Sequence, residues 1–268
     1  MGLMNKKEEK YATILGASKR TLHKYLDFTA REQYKLLRAN LNFVLPTENK
    51  CNVIGVTSSI RGEGKSTTSI NLAYVLAQAG HQVLLVDGDL RLPSIGKKLE
   101  MKNSVGLTDL LIGKGAKISE FQSDLLKNLY VILSGAIPPN PSELLGSRRM
   151  ETVLNNLKES FDYIIVDLPP VNIVSDAMSI SHFLDGIVVV MRESYTKKRD
   201  IDACLRQLEL ANAKILGCVT TCSSRTSGAY GKYKKYKYYG RYGRYGRYGR
   251  HTKDEQLAQF ADVVMKND

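Results

Sequence analysis

The chain predicts an α/β fold, a mostly parallel sheet flanked by helices, with a disordered tyrosine-rich tail at its carboxyl end. Three observations carry that expectation. Short apolar runs alternate with helical stretches between residues 51 and 219. The runs VLLV, YIIV and IVVV are apolar at every position, as strands covered on both faces require. Beyond residue 227 the texture changes abruptly, and residues 230–250 contain no Leu, Ile, Val or Phe.

The first helix is expected at residues 29–45, where Tyr34, Leu37, Leu41 and Val44 form an apolar stripe at i, i+3, i+7 and i+10. Thr29 or Asp27 is placed to cap it, and Pro46 follows its end. Residues 1–28 are charged and weakly patterned, and read as a flexible arm. Strands are expected at 52–57, 82–86, 129–133, 163–166, 186–191 and 215–219. Helices are expected between them at 65–79, 106–112, 141–160, 175–184 and 198–211. Alternating units of this length close into a parallel sheet through right-handed crossovers.

Composition narrows the class. A length of 268 residues suits one good-sized domain, and 43% apolar with 25% charged residues excludes wholesale disorder. No window approaches about 18 uninterrupted apolar residues, and MGLMNKKEEK lacks the apolar core of a signal peptide. Gly2 would suit myristoylation, but Lys6 stands where that motif wants Ser or Thr. The chain therefore reads as cytoplasmic. Cys51, Cys204, Cys218 and Cys222 are too scattered for a disulfide framework, lack zinc-site spacing, and read as reduced packing residues.

The net charge of +12 suggests a nucleic-acid partner until it is located. Residues 228–251 hold eight Lys and Arg and no acid; without them 31 basic residues face 27 acidic ones. The excess sits in one segment, which ends in Tyr-Gly-Arg four times over and cannot bury a core. A short amphipathic stretch follows it, within a carboxyl-terminal extension, 252–268, of no assigned role.

The chemistry concentrates in the first strand–loop–helix unit. Gly62-Glu63-Gly64-Lys65-Ser66-Thr67 supplies backbone N–H groups that wrap a β-phosphate at the positive end of a helix. Lys65 is placed to reach the β- and γ-phosphates, and the Ser66 hydroxyl to ligate Mg²⁺. The strict P-loop pattern wants Gly at Ser59, so the loop departs from it there, but the strand before and helix after are those the pattern needs, and Ser59 is counted with 62–67 among the residues expected at the phosphates. VLLVDGDLR places Asp87 and Asp89 at the end of the next strand, Asp87 lying 22 residues after Lys65, the span of one helix and one strand. FDYIIVDLPP places Asp167 at the end of another strand, where a Mg²⁺ carboxylate belongs. Any one of these acids is explained by capping; three converging on one crevice point to Mg-ATP.

These residues resemble the bacterial tyrosine kinases, P-loop ATPases of the partitioning type. GEGKST resembles their Walker A motif, LLVDGDLR their Walker A′ and IIVDLPP their Walker B; IPPNPSELLGS (137–147) and the tyrosine-rich tail complete the likeness. The resemblance implies that Asp87 is the base or orienter for the acceptor hydroxyl and that Asp89 and Asp167 hold Mg²⁺, with the division between Asp87 and Asp89 left open. It implies a homo-oligomer, a ring, through a Glu-x-x-Arg-x-x-Arg motif that appears here as Glu32, Lys35 and Arg38. It also implies a transmembrane adaptor that brings the chain to the inner face of the membrane, an opposing tyrosine phosphatase, and control of capsule or exopolysaccharide synthesis. The pattern departs at Arg61, where many members have Pro, and at Thr221, where many have Asn.

The tail then divides two readings. Basic residues interleaved with aromatic ones suit single-stranded nucleic acid. Tyr230, Tyr233, Tyr236, Tyr238, Tyr239, Tyr242, Tyr245 and Tyr248 equally suit phosphoacceptors, eight of the fifteen tyrosines within nineteen residues. Beside a phosphoryl-transfer site the second reading is favoured, and no nucleic-acid partner is expected. A plain partitioning ATPase gives no reason for the tyrosines, and its characteristic Lys would fall at Ile60. The expected organisation is an arm at 1–28, a kinase domain at 29–227 with its self-association helix at 29–45, a phosphoacceptor tail at 228–251 and the extension beyond.

Overall fold

Six apolar runs become six strands in the computed structural model, which describes residues 26–46, 48–102 and 105–223. They are β1 (Asn52–Ser58), β2 (Val83–Asp87), β3 (Leu129–Ile132), β4 (Tyr163–Asp167), β5 (Gly186–Arg192) and β6 (Ile215–Thr221). All their ladders are parallel, in the order β3-β2-β4-β1-β5-β6. From β1 the chain builds outward to β2 and β3 on one side, returns to β4, and crosses to β5 and β6 on the other. A crevice therefore opens at the carboxyl end of β1, where the direction of winding reverses.

The strands alternate between two apolar layers, which is why the runs show no polar face. Val83 and Leu85 join one layer with Leu41, Ile70, Val75 and Leu76; Leu84 and Val86 join the other with Met150, Leu154 and Leu208. Each such side chain contributes about 1.5–3 kcal/mol on burial, so a β1–β4–β2 centre buried at every position is the rigid part of the molecule.

Helix α1 (Phe28–Val44) begins at Asp27, whose carboxylate accepts from Ala30 N at 2.7 Å, so Asp27 and not Thr29 is the cap. Its stripe is displaced at the end: Val44 is exposed and Leu45 is buried beside Leu41. Helix α2 (Lys65–Gln78) and α8 (Lys198–Leu210) lie where expected. Two expected helices are broken. Residues 141–160 form α5 (Pro141–Leu145) and α6 (Arg148–Lys158), because Gly146 closes the first helix and Ser147 caps the second, accepting from Met150 N at 3.2 Å. Residues 175–184 form α7 (Asp176–Ile180) and a 3₁₀ turn, Ser181–Phe183. A helix absent from the sequence expectation, α3 (Ile95–Leu99), follows β2; α4 is Leu107–Leu111. Cys51 and Cys204 are buried packing residues as expected, whereas Cys218, on the edge strand β6, and Cys222, just past its end, are exposed.

Among the described residues no helix is long and apolar enough to cross a membrane. The arm before residue 26, the boundaries at 227/228 and 251/252, and the eight tail tyrosines lie outside them.

Beyond the carboxyl end of β3 the chain passes close to itself. A Cβ on Gly106 would lie 2.3 Å from Gly135 N and 2.4 Å from Gly135 Cα. Neighbouring backbone bonds, Leu107 N to Leu133 O (2.7 Å) and Thr108 N to Ser134 O (2.9 Å), hold that approach. Gly106→Ala should therefore lower the unfolding free energy by about 1–3 kcal/mol in urea titration. Gly115→Ala, whose Cβ meets nothing within 4 Å, should stay within about 0.5 kcal/mol of the unsubstituted chain.

Candidate nucleotide and phosphoryl-transfer site

The loop from β1 to α2 turns at Gly62 (φ 82°) and Gly64 (φ 97°), both in the left-handed region that side chains disfavour. Gly64 is also the N-cap of α2, and no side chain caps it. A 14-residue helix thus presents its positive end and its first-turn N–H groups to the crevice.

Side chains within the loop brace one another. Glu63 is wholly buried, and its carboxylate accepts from Ser59 Oγ at 2.9 and 3.0 Å, from Ile60 N at 2.8 Å, and from Thr196 Oγ1. Ser59, expected at the phosphates, spends its hydroxyl on this brace. Thr67 accepts from Asn71 Nδ2 through its carbonyl, at 2.8 Å, within α2. Support also arrives from the far strands, unseen in the sequence reading. Thr221 Oγ1 donates to Glu63 O at 2.6 Å, and its methyl would meet a Cβ on Gly64 at 3.2 Å. Tyr195 Oη donates to Arg61 O at 3.1 Å while Arg192 lies 5.2 Å over its ring. No local signal marked these positions; only the departure from Asn drew attention to Thr221.

Three carboxylates surround one ammonium. Lys65 Nζ lies 2.8 Å from Asp89 Oδ2 and 3.7 Å from Asp167 Oδ2. Burial opposes the charge on Lys65, but Asp167, Asp89 and Asp87 outweigh it and raise the pKa. Asp89 Oδ1 accepts from Leu92 N at 3.0 Å. Asp167 is raised by burial, against Lys65 and the Ser66 and Ser69 hydroxyls, with Ser69 Oγ at 3.0 Å from Oδ1. Asp87 faces Asp167 in the β2–β4 register, and burial and that neighbour push it up to about 7. Its Oδ2 accepts from Ser94 N (3.2 Å) and Ile95 N (3.0 Å), which starts α3. Asp87 Oδ1 and Asp167 Oδ2 are buried without a hydrogen-bond partner.

Orphaned anionic oxygens beside a serine hydroxyl fit a divalent cation. Mg²⁺ is an ion held by one or two carboxylates together with phosphates and water. Asp167 and Asp89 with Ser66 are the residues placed to hold it.

Beside this cluster Arg91 forks onto the wholly buried Asp176 at 3.0 and 3.2 Å, and reaches Ser142 Oγ at 3.1 Å. This joins the loop after β2 to the starts of α5 and α7, and gives the 137–147 segment a physical task. The expected oligomer residues are placed unequally. Glu32 and Lys35 pair with each other at 2.8 Å on the exposed side of α1. Arg38 instead donates to Val75 O at 2.9 Å in its own chain, so its guanidinium is not simply part of a free charged band.

Two outcomes follow from these contacts. A carboxylate raised from about 3.8 to about 7 favours the folded state at low pH, and that contribution is lost as pH rises across the interval. Asp87→Asn keeps an acceptor for the α3 N–H groups but removes the charge. At pH 8 it should raise the melting temperature of the nucleotide-free protein by several degrees, a gain that shrinks toward pH 5. Thr221→Val should weaken ADP binding about three- to tenfold in a fluorescence titration, the worth of one hydrogen bond holding the loop.

Comparison with known proteins places this geometry. Residues 51–215 match the family described as AAA domain. The tyrosine-protein kinase YwqD of Bacillus subtilis is 38% identical over 188 residues, covering 70% of this chain and 79% of that protein. The kinase domain of the Escherichia coli tyrosine kinase ETK superposes with a TM-score of 0.68 at 32% identity, over 74% of this chain and 78% of that one. The chimerical protein CapA2B2 gives 0.70 at 33% identity, over 77% and 90%. With the strand order, the glycine loop and the three carboxylates already on the same crevice, the chain belongs to the bacterial tyrosine-protein kinases.

Proposed function

We propose that the protein is an ATP-dependent tyrosine autokinase that phosphorylates the tyrosines of residues 230–248 between subunits, and thereby regulates capsular or exopolysaccharide synthesis. One observation carries the enzymatic part: a half-buried lysine among three carboxylates at and just beyond the ends of β2 and β4, beside a glycine-rich loop at a helix start. The clustered tyrosines supply the acceptors. Control of a polysaccharide, a ring assembly, the adaptor, the phosphatase and a place at the inner membrane face rest on the family likeness. The domain limits at 29–227 and 228–251 belong to the same reading.

Backbone N–H groups of Gly62, Glu63, Gly64, Lys65, Ser66 and Thr67 receive the phosphates. Lys65 leaves Asp89 for the β- and γ-phosphates and neutralises the charge that develops there. Ser66, Asp89 and Asp167 would hold Mg²⁺, which would supply Lewis-acid neutralisation of the same phosphates. Asp87, with an unpartnered oxygen and a pKa near neutrality, takes the proton of the acceptor phenol. The phenolic oxygen bonds to the γ-phosphorus as the bond from that phosphorus to the β,γ-bridging oxygen breaks; ADP leaves with that electron pair. Each phosphate adds about −1.5 to −2 charges to a basic segment. Phosphotyrosine is then repelled by Asp87, Asp89 and Asp167, so modification limits its own return to the site.

Lys65→Met should lower tyrosine labelling from radioactive ATP at least about a hundredfold while the far-ultraviolet dichroism is unchanged. Mixing that chain, its tail intact, with an active chain whose eight tail tyrosines are Phe tests transfer between subunits. Label is expected on the Lys65→Met chain. Robust labelling of the unsubstituted protein with none in the mixture would make the transfer intramolecular.

A further inference from the structure

We infer that Arg61 is a further catalytic residue, whose guanidinium binds the terminal phosphoryl group of ATP beside Lys65 and neutralises the charge that group carries during transfer. The inference deepens the kinase reading and rests on its nucleotide site.

Arg61, Lys65 and Arg91 line one small cavity between the phosphate loop and the loops after β2 and β4, and Asp89 is the one acid among the described residues that line it. Two of the three cations are already compensated. Lys65 Nζ lies 2.8 Å from Asp89 Oδ2, and Arg91 forks onto the buried Asp176 at 3.0 and 3.2 Å. Asp89 turns its other oxygen to Leu92 N at 3.0 Å. Arg61 has no carboxylate partner among the described residues. The cavity therefore carries a surplus positive charge at Arg61, and an anion is the occupant that such a surplus attracts.

Size and position select the anion. The cavity measures about 170 Å³, below the about 300–1,000 Å³ of clefts that enclose drug-sized ligands, so it suits a phosphoryl group and not a nucleoside. Lys65 stands in its wall, and the lysine of such a loop reaches the β- and γ-phosphates. The terminal phosphoryl group is thus the anion that the reaction brings to this place. The backbone around Arg61 is held ready for it. Ile60 N donates to the Glu63 carboxylate at 2.8 Å, Ser58 Oγ donates to Ile60 O at 2.8 Å, and Tyr195 Oη donates to Arg61 O at 3.1 Å. The residue itself is exposed, so its stem has a fixed root while the guanidinium is free to close on an anion. A planar guanidinium meets two phosphate oxygens at once, with charge on each hydrogen bond. Many members of the family have Pro at this position, which carries neither charge nor a donor. The contact is therefore a property of this chain and is not inherited from the likeness.

Arg61→Gln and Arg61→Lys, each in the full chain, test the assignment. Fluorescence titration at saturating Mg²⁺ compares ADP with the β,γ-imido analogue of ATP, and phosphotyrosine formation from ATP is followed alongside. Arg61→Gln should weaken the imido analogue about tenfold while ADP stays within about twofold, and should lower kcat for phosphotyrosine at least about tenfold. Arg61→Lys should recover part of both losses, because it keeps the charge without the fork. An analogue affinity unchanged in Arg61→Gln overturns the assignment. So does an equal loss of ADP and analogue, which would put the effect on the loop and not on the terminal phosphoryl group. Affinities divided as expected, with no phosphotyrosine from the parent chain, would keep the contact as nucleotide recognition and overturn the kinase reading.

Discussion

One ammonium group makes the rest of the site possible. Asp87 and Asp167 are neighbours across the β2–β4 ladder, Asp89 lies two residues on, and all three are buried. Burial first, and then the repulsion of neighbouring carboxylates, makes acids so placed resist ionisation, and both push Asp87 and Asp167 up. Lys65 offsets part of that cost from the start of a helix whose own dipole is positive there. The arrangement needs β1 beside β4 and β4 beside β2, because the lysine leaves β1 while the acids leave the other two. Catalytic electrostatics and strand order are therefore one constraint.

The loop that carries Lys65 is braced from the β5–β6 side of the sheet. Glu63 turns inward to Ser59, Ile60 and Thr196, and Thr221 reaches across from the end of β6. Arg38 and the buried face of α1 attach the amino-terminal helix to α2 at Val75. Contacts made after β5, at the end of β6 and on α1 thus meet the loop and helix that carry Lys65. Unpartnered oxygens on Asp87 and Asp167 lie at the same place. Their burial is unfavourable in the free protein, a cost that a bound cation and phosphates would offset.

Much of this was legible in the residue order. Periodicity located six strands and the long helices, since the repeat of a strand or helix is a property of neighbouring residues. GEGKS and the acids at 87, 89 and 167 were legible for a related reason: strand ends in a parallel sheet share one edge, so a carboxylate after an apolar run is delivered to that edge whatever the details. The break at Gly146 was missed although the glycine–serine pair, and the Arg148-Arg149 that interrupts the apolar pattern, were there to be read.

What the order of residues left undetermined depends on partners far apart in the chain. Helix α3 starts where it does because Asp87 accepts from Ser94 and Ile95, a cap supplied by a strand and not by the preceding residue. Arg91 meets Asp176 across 85 positions, and Thr221 meets Glu63 across 158. The inward turn of Glu63 and the attachment of Arg38 to its own chain are of the same kind. Hydrogen bonds and burial act through space over a few ångströms, and a window of sequence contains only the local part of those interactions.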